Sequence, residues 1–394
     1  MSILDLNDGL LVQVLSKLSF ANIFRTSRCC KRLWGLVWES EELWYYVLKD
    51  FLEEEVVIRQ ILGLLGSYRL LAKFLVKYSS LEGVWAGDIK PRGQLLRVEF
   101  EDGALVGKTY GLSVGPRLGV HRLINRLLFK LEPENHNNEL KVTCKWFRQS
   151  QDSAGGEQGQ GSSDLPDNDA EDAIPEIRSD EFTLIRSAEE DPGEILTNPR
   201  NVYVRYISRG ELPPERLPRK TTYRRLKYEI QQQSENPSDA EHEDKLKEGM
   251  YWALYGLHGP EIILVTYNEN SMIEGRKITG DLNVPCGQVS FSVEVDCLRS
   301  YQLPPETVAV RQALLQAAGD EITHIHSGVG TVAEEYFRHP RLTVAELLRF
   351  RNDNFAVLWL ELGNPIFFRP LKLPEYGEVG RRFLESMASG PPFS

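Results

Sequence analysis

The chain has 394 residues, with 57 acidic and 46 basic side chains, a net charge of −11 and 41% hydrophobic residues. This length allows two domains, or one large β-rich domain and a small one. The negative charge argues against a general binder of nucleic acid or anionic membrane. Five scattered cysteines give no disulfide framework, and the start shows no secretory signal. Nowhere do 18 apolar residues run together, so no membrane span is expected. We therefore expect a cytoplasmic and/or nuclear protein.

Residues 8 to 78 carry helical patterns. The first helix has an apolar stripe with Asp8 placed to cap it, a second covers roughly 20 to 34, and a third begins near Glu41. Helical sequence continues from 51 to 78, with a break expected at Gly63 and Gly66. The stripe of the first helix consists of Leu10, Leu11, Val14, Leu15 and Leu18.

From Trp85 onward, short runs with a period of two predict strands. Asp102-Gly103 marks a hairpin turn, because this pair accepts positive φ. Two helices are expected among the later strands, near 306 to 318 and near 343 to 350, the latter from a capping-box pattern (Thr343 to Glu346). The later predicted strands are 202–207, 251–256, 261–267, 289–296 and 355–362.

Two acidic segments, 150–178 and 234–247, are predicted to be disordered loops. Residues 151 to 172 are rich in acidic residues and glycine and contain no Lys or Arg. Such a composition cannot bury enough apolar surface to offset the entropy of ordering.

The segment RCCKRLWGLVWESEELW, residues 28 to 44, has three interpretations. Adjacent cysteines rarely chelate one zinc ion, and no histidine is near. The basic pair Lys31-Arg32 resembles a nucleic-acid patch, but acidic residues follow at once. The third interpretation is a small helical module that exposes apolar side chains to a partner.

Residues 6 to 44 resemble an F-box. Asn7 departs from the proline usual in that family, and Gly9 from a frequent acidic residue, which puts the affinity for the adaptor in question. The resemblance implies docking on the Skp adaptor and, through it, on a cullin. The residues expected at the adaptor contact are Leu6, Leu10, Leu11, Leu15, Leu18, Leu43 and Trp44.

Five later segments resemble the F-box only protein 31 family: EGVWAGDIKPRGQLLRVEF, TYRRLKY, YGLHGPEIILVTY, GRKITGDLNVPCGQ and FAVLWLEL. The resemblance implies a β-barrel that binds a substrate's C-terminal tail, including tails that end in an amide. Vertebrate members carry a Cys/His cluster suited to zinc after the segment similar to LKVTCKWF. Cys144 has no such followers here, so we expect no structural zinc and no cofactor.

Several polar residues are candidates for the substrate site. Lys277, Thr279, Asp281 and Asn283 occupy one short loop, where they either stabilise a turn or rim a barrel pocket. Tyr255 and His258 lie in a turn that opens a strand, where stabilising the turn is an alternative to ligand contact.

Two further groups stand apart from that loop. Arg224 and Arg225, in a basic patch, fit an acidic or phosphorylated segment or a solvated strand face. His324 and His326 share a strand face at a spacing that metals use, with Glu321 or His339 as a third ligand; simple surface polarity is the alternative.

The sequence thus predicts an α+β protein: a small N-terminal helical F-box module followed by a large antiparallel β-barrel-like domain. The expected divisions are an F-box at 1–48, a helical spacer at 49–80 and a substrate-recognition barrel at 81–394. The predicted function is the non-catalytic substrate receptor of an SCF ubiquitin ligase, which binds a peptide degron for proteasomal degradation. The alternatives are a barrel receptor for a small molecule and a metal-dependent enzyme.

Overall fold

The first part of the chain forms six helices, in a computed structural model that describes residues 3–18, 20–114, 121–146, 176–178, 180–185, 220–226, 246–295, 322–351, 353–363, 365–374, 379–380 and 382–383. Asn7, not Asp8, caps the first helix by accepting a hydrogen bond from the Leu10 N–H, and Gly66 ends the fifth with φ of 61°. Gly63 lies inside that helix. The helices are α1 (Asp8–Leu15), α2 (Phe20–Ser27), α3 (Lys31–Glu39), α4 (Glu41–Glu54), α5 (Val56–Leu65) and α6 (Tyr68–Tyr78).

Strands between residues 83 and 225 form an eight-stranded antiparallel sheet in the order β5-β4-β3-β2-β1-β8-β7-β6. Asp102 and Gly103 both have positive φ between two of them, which confirms the predicted hairpin. The strands are β1 (Gly83–Gly87), β2 (Gln94–Glu101), β3 (Ala104–Val114), β4 (His121–His136), β5 (Glu139–Trp146), β6 (Glu176–Arg178), β7 (Glu181–Ile185) and β8 (Lys220–Arg225).

The helices and this sheet share one apolar core. It extends from Trp44 of α4 through Phe74 of α6 to Trp85 and Phe129 of the sheet. The helical module therefore packs directly on the sheet, and burying its apolar face there stabilises helices too short to be stable alone.

The remaining strands form a closed antiparallel barrel, in the order β10-β11-β12-β13-β14-β15-β16-β9. Phe291, Phe355 and Phe368 fill its centre, while Met250 and Ile262 face outward against the open sheet. The strands are β9 (Gly249–Leu254), β10 (Pro260–Tyr267), β11 (Met272–Lys277), β12 (Val289–Glu294), β13 (Ile322–Glu334), β14 (Arg338–Phe350), β15 (Phe355–Trp359) and β16 (Pro365–Pro370).

The predicted α+β class, with a helical module before an antiparallel barrel, is confirmed. The barrel uses only strands from residue 249 onward, because the earlier strands form the separate open sheet. The domain limits at 48 and 80 stay predictions; α4 runs across residue 48. No helix among the described residues is long and apolar enough to span a bilayer.

The helix predicted near 343–350 is wrong, because these residues belong to β14. Ala345 and Leu347 point into the barrel core and Leu348 and Phe350 pack on its outside, so both faces are covered. Pairing with two neighbouring strands overrides the local capping-box signal.

Three other predictions fall wholly or mostly outside the described residues. They are the strand at 202–207, the helix at 306–318 and the acidic loops. Of the segment 150–178 only the strand Glu176–Arg178 is described, and of 234–247 only 246–247.

Candidate functional site

A cluster of charges is buried at one end of the barrel. Ile263 of β10 pairs with Lys277 of β11, and Glu261 lies two residues before Ile263 on the same inward face. Lys277 Nζ is 2.6 Å from Glu261 Oε2 and 2.8 Å from Asp281 Oδ2, and all three side chains are buried. One ammonium group thus lies between two carboxyl groups in a place shielded from water.

The pKa values of the cluster reflect burial and mutual attraction. Burial raises the pKa of Glu261 well above its ordinary value, which favours its neutral form. Burial alone would lower the pKa of Lys277, but the charges of Glu261 and Asp281 outweigh it and raise the pKa. Burial would raise the pKa of Asp281, but Lys277 and hydrogen bonds from Glu261 and Lys277 hold it below its ordinary value. Lys277 and Asp281 are therefore the charged pair, and Glu261 is the group that takes up a proton most readily.

The loop after β11 holds Asp281 in place. Asp281 Oδ1 accepts hydrogen bonds from the backbone N–H groups of Asn283 (2.5 Å) and Val284 (2.9 Å). Thr279 Oγ1 accepts one from the Ile262 N–H at 2.7 Å, and the Asn283 amide donates to the Ala333 carbonyl. The polar residues of this loop form the turn that the sequence predicted, and their contact with a substrate stays a prediction.

Aromatic side chains cover the charged cluster. Lys277 Nζ is 4.2 Å from the centre of the Tyr255 ring, a cation–π contact. The hydroxyl groups of Tyr255 and Ser290 are 3.1 Å apart, and the Tyr255 ring meets Trp359 edge to face at 6.4 Å. The buried indole N–H of Trp359 finds no acceptor within the described part of the chain. An unpaired buried donor of this kind can serve a ligand.

His258 lies in the short 3₁₀ turn between β9 and β10. It lies three residues before Glu261, so it belongs to the same end of the barrel. The structure thus brings together Tyr255, His258, Lys277, Thr279, Asp281 and Asn283.

Arg224 and Arg225 lie apart from this cluster, on β8 of the open sheet. Arg225 donates hydrogen bonds to the carbonyls of Glu82 (2.8 Å) and Ser80, and its guanidinium lies 4.2 Å from the Trp85 ring centre. Those contacts give Arg225 a structural role in this sheet. Arg224 is exposed beside Glu181, so substrate contact stays a prediction for this residue.

In the F-box module, the residues predicted to contact an adaptor differ in how far they are buried. Leu11, Leu15, Leu43 and Trp44 are buried, so they hold the helices together. Leu6 and Leu18 are half-buried and Leu10 is exposed. The exposed apolar face of α1 also includes Leu4, just before the helix, and Val14, one turn after Leu10.

The basic pair near the start of the chain also has a structural explanation. Arg32 donates hydrogen bonds to Asp8 Oδ1 (2.6 Å) and to the carbonyls of Leu4 (2.5 Å) and Leu6 (2.7 Å). Arg32 therefore ties α3 to the segment before α1.

The two histidines of β13 lie with nearly parallel rings 6.1 Å apart. His326 Nδ1 is 3.1 Å from the carbonyls of both Glu294 and Val295, so it holds a proton and donates it there. His339 lies at the other end of the β13–β14 hairpin, and Glu321 is outside the described residues. Among the residues described, no group of three or more metal-ligating side chains occurs.

Cys144 does not suit a zinc site. Its thiol is buried in the core shared by the helices and the open sheet, and this burial raises its pKa to about 12. Zinc needs the thiolate form, which such an environment disfavours.

A cavity of about 430 Å³ lies between α3, α6 and the β4–β5 hairpin. Both basic and acidic side chains line it, so the cavity favours neither an anionic nor a cationic ligand. Burial and the charge of Arg69 lower the pKa of Lys73 there. The lining residues are Trp34, Trp38, Glu39, Arg69, Lys73, Asn137, Asn138 and Glu139.

Comparison with known proteins agrees with this architecture. Residues 3–33 match the F-box domain family, and residues 223–375, which include the whole barrel, match the family described as the cyclin D1 binding domain. F-box only protein 31-B of Xenopus laevis is 24% identical over 336 residues, or 77% of this chain. The chain is therefore similar to F-box only protein 31 along most of its length, and it contains both domain matches in this order.

Other relatives match a shorter part of the chain. F-box only protein 31 is 44% identical in Rattus norvegicus and 40% identical in Homo sapiens, each over 62 residues, which are 16% of this chain. The match covers 12% of the rat protein and 11% of the human one, and the longer match covers 55% of the Xenopus protein. The chain thus spans about half the length of the Xenopus relative and a smaller share of the other two.

Sequence analysis missed two residues of the cluster at the barrel end. Glu261 begins an otherwise apolar strand and Trp359 ends another, so both read as ordinary strand residues. The signal for Glu261 was its spacing of two from the inward-facing Ile263, which becomes visible only when the barrel interior is known.

Proposed function

We propose that the chain is the substrate-recognition subunit of an SCF ubiquitin ligase. The F-box module would bind the Skp adaptor, and through it a cullin, while the charged end of the barrel would bind a degron. The chain itself would perform no chemistry. It would accelerate ubiquitin transfer by holding the substrate close to the conjugating enzyme.

The observation that carries this proposal is that one rigidly packed chain contains both an exposed apolar helix face and a barrel with a charged end. An exposed apolar face on α1, which includes Leu10 and Val14, belongs to a module that shares its core with the open sheet. The barrel in turn packs its outer face on that sheet through Met250 and Ile262. The continuous packing would keep the adaptor and the substrate at a fixed separation.

Cyclin D1 is the first substrate to test, because the family that matches residues 223–375 is described as the cyclin D1 binding domain. The degron would be an extended tail, including a C-terminal one. The centre of the barrel is filled by aromatic side chains, so binding would take place at its end, where Lys277, Tyr255 and the Trp359 indole N–H are grouped.

A pull-down with purified Skp adaptor tests the first half of the proposal. The full chain should bind it, and Leu10→Asp should abolish binding because it places a charge on the exposed face. Leu64→Asp is the matched control, since Leu64 is an exposed leucine on α5. Equal binding by the wild type and Leu10→Asp would contradict the proposed contact.

Immobilised cyclin D1 tests the second half. Wild-type chain should bind it, and should promote its ubiquitination when the adaptor, the cullin and the conjugating enzyme are added. Binding without ubiquitination would support the substrate contact and contradict the proposed assembly with the adaptor and the cullin. An absence of binding would exclude cyclin D1 as the substrate.

A further inference from the structure

The β13–β14 hairpin extends beyond the end of the barrel where the charged cluster lies. Trp359, the last residue of β15, pairs with Ala345, and one more backbone bond joins the Leu360 N–H to the Val344 carbonyl. Beyond this point β14 continues as Thr343, Leu342 and Arg341, which pair with β13 only. This end of β14 is thus paired on one side.

On the other side the chain turns away. The N–H groups of Leu362 and Gly363 both donate to the Trp359 carbonyl and form a tight turn. Backbone groups along a strand alternate between its two edges. Because the Val344 carbonyl faces β15, the N–H and carbonyl of Leu342 face the same edge. Within the described residues, neither group of Leu342 has a backbone partner on that edge.

The side chains along this edge are unusually apolar for an open strand. Leu342 is 67% exposed and Val344 58% exposed, and Leu362 in the adjacent turn is 52% exposed. Proteins normally protect an open edge with charges or proline, because its free backbone groups can template the addition of another strand. Pro340, Arg338 and Arg341 do so toward the tip of the hairpin, which leaves Leu342 as the position with a free N–H and a free carbonyl among the residues described. Apolar side chains next to free backbone groups indicate a surface that binds an extended chain.

The edge also leads to the charged cluster. Thr343 is buried beside Leu342, and Trp359 of β15 pairs with Ala345, two residues further along β14. The Trp359 ring contacts Tyr255, which in turn covers Lys277. A strand added along Leu342 would therefore end over the unpaired Trp359 indole N–H.

Charge at this edge distinguishes the occupants. Arg338 and Arg341 are exposed there, and Arg341 forms a bidentate ion pair with Glu361 in the turn after β15. Such an exposed pair contributes little and exchanges readily for a ligand carboxylate. The two guanidinium groups favour an acidic segment as the occupant, because its carboxylates can accept hydrogen bonds from both.

We propose that the open edge of β14 at Leu342 binds an extended, acidic segment of the substrate by strand addition, with the segment directed toward Trp359 and Lys277. This inference rests on the proposed function and specifies how the degron is held. Main-chain hydrogen bonds give affinity in this mode, and alternate side chains give specificity.

The test uses the full chain and an acidic dodecapeptide selected on it from a random peptide library. Leu342→Pro removes the N–H at the open edge, and Leu342→Ala keeps this N–H while it shortens the side chain. We expect Leu342→Pro to weaken peptide binding at least tenfold and Leu342→Ala less than threefold. Methylating the peptide's amide nitrogens one at a time should weaken binding at every second residue. Thermal unfolding and adaptor pull-down establish that both variants fold.

The outcomes separate this inference from the proposed function. If the wild type binds the peptide, while Leu342→Pro binds equally well or the methylation scan lacks a two-residue period, the strand-addition inference is overturned and degron recognition stands. If no peptide is selected, degron recognition fails and the inference fails with it. A wild-type dimer that Leu342→Pro converts to a monomer would assign the edge to self-association and overturn the inference.

Discussion

Glu261 lies against Lys277 inside the barrel, where Lys277 also pairs with Asp281. The Lys277 Nζ and Glu261 Oε2 atoms are 2.6 Å apart, and neither side chain is more than 2% exposed. Lys277 and Asp281 carry the charges of this cluster, and burying such a pair costs as much as its attraction returns, so it is weak evidence for stability. Its position under Tyr255, at the end of the barrel, fits a role in binding better than a role in folding.

Removing one partner should nevertheless be costly. Lys277→Met leaves two carboxyl groups buried without a cation, and we expect it to lower the free energy of unfolding by about 3–5 kcal/mol. Lys247→Met removes the lysine of a more exposed pair with Asp353 and should cost less than about 1 kcal/mol. Urea denaturation of both variants measures the difference. Equal losses would show that burial of the cluster does not matter.

His326 should make stability depend on pH. Burial lowers its pKa below the ordinary 6.5 in the folded chain. As the pH falls, the unfolded chain therefore takes up a proton at this histidine before the folded chain does. The stability that neutral His326 contributes is complete above about pH 6.5, and it is lost as the pH drops through the pKa of the folded state. His326→Gln should flatten the decline in the free energy of unfolding between pH 7 and pH 5. The exposed His339→Gln is the control and should decline as the wild type does.

The sequence predicted four of the eight barrel strands, β9, β10, β12 and β15, because their apolar residues alternate or run continuously between turn residues. It failed at β14, where a capping-box pattern and a continuous apolar run resemble a buried helix. Only pairing with β13 and β15 distinguishes the two.

The candidate site was predictable where one loop gathers its residues. Lys277, Thr279, Asp281 and Asn283 lie close in sequence and were found together. Glu261 and Trp359 come from distant strands, and only the closure of the barrel places them beside that loop. The leucines expected to contact an adaptor were predicted as a set, but a helical stripe does not reveal which members face the core.

Arg225 and Arg224 should respond differently to the same substitution. Arg225→Lys loses the fork of hydrogen bonds to the Glu82 and Ser80 carbonyls and should cost about 1–3 kcal/mol of unfolding free energy. Arg224→Lys, on the exposed face of the same strand, should cost less than about 0.5 kcal/mol. Chemical denaturation compares them directly. A large loss for Arg224→Lys would point to a partner that the described contacts do not contain.

Two tryptophans of the F-box module offer a second matched pair. Trp44 is 1% exposed and its indole N–H donates to the Val37 carbonyl at 2.6 Å, so Trp44→Ala should cost about 3–5 kcal/mol. Trp34 is 51% exposed, and Trp34→Ala should cost much less. Thermal unfolding measures both. If Trp44→Ala lost adaptor binding at full stability, Trp44 would act at the interface and not through the core.

Gly330 should control the position of Trp359. A Cβ atom at Gly330 would overlap Trp359 Nε1, so Gly330→Ala must displace the indole, at a cost of about 1–3 kcal/mol. Because the indole N–H lies at the end of the proposed degron track, Gly330→Ala should also weaken binding of the selected peptide, with adaptor binding unchanged. Gly63→Ala on α5, where a Cβ meets nothing within 4 Å, is the control and should leave peptide binding at the wild-type level. Peptide titration by fluorescence polarisation, at a temperature where both variants are folded, measures the effect. Wild-type affinity in Gly330→Ala would mean that the substrate does not reach Trp359.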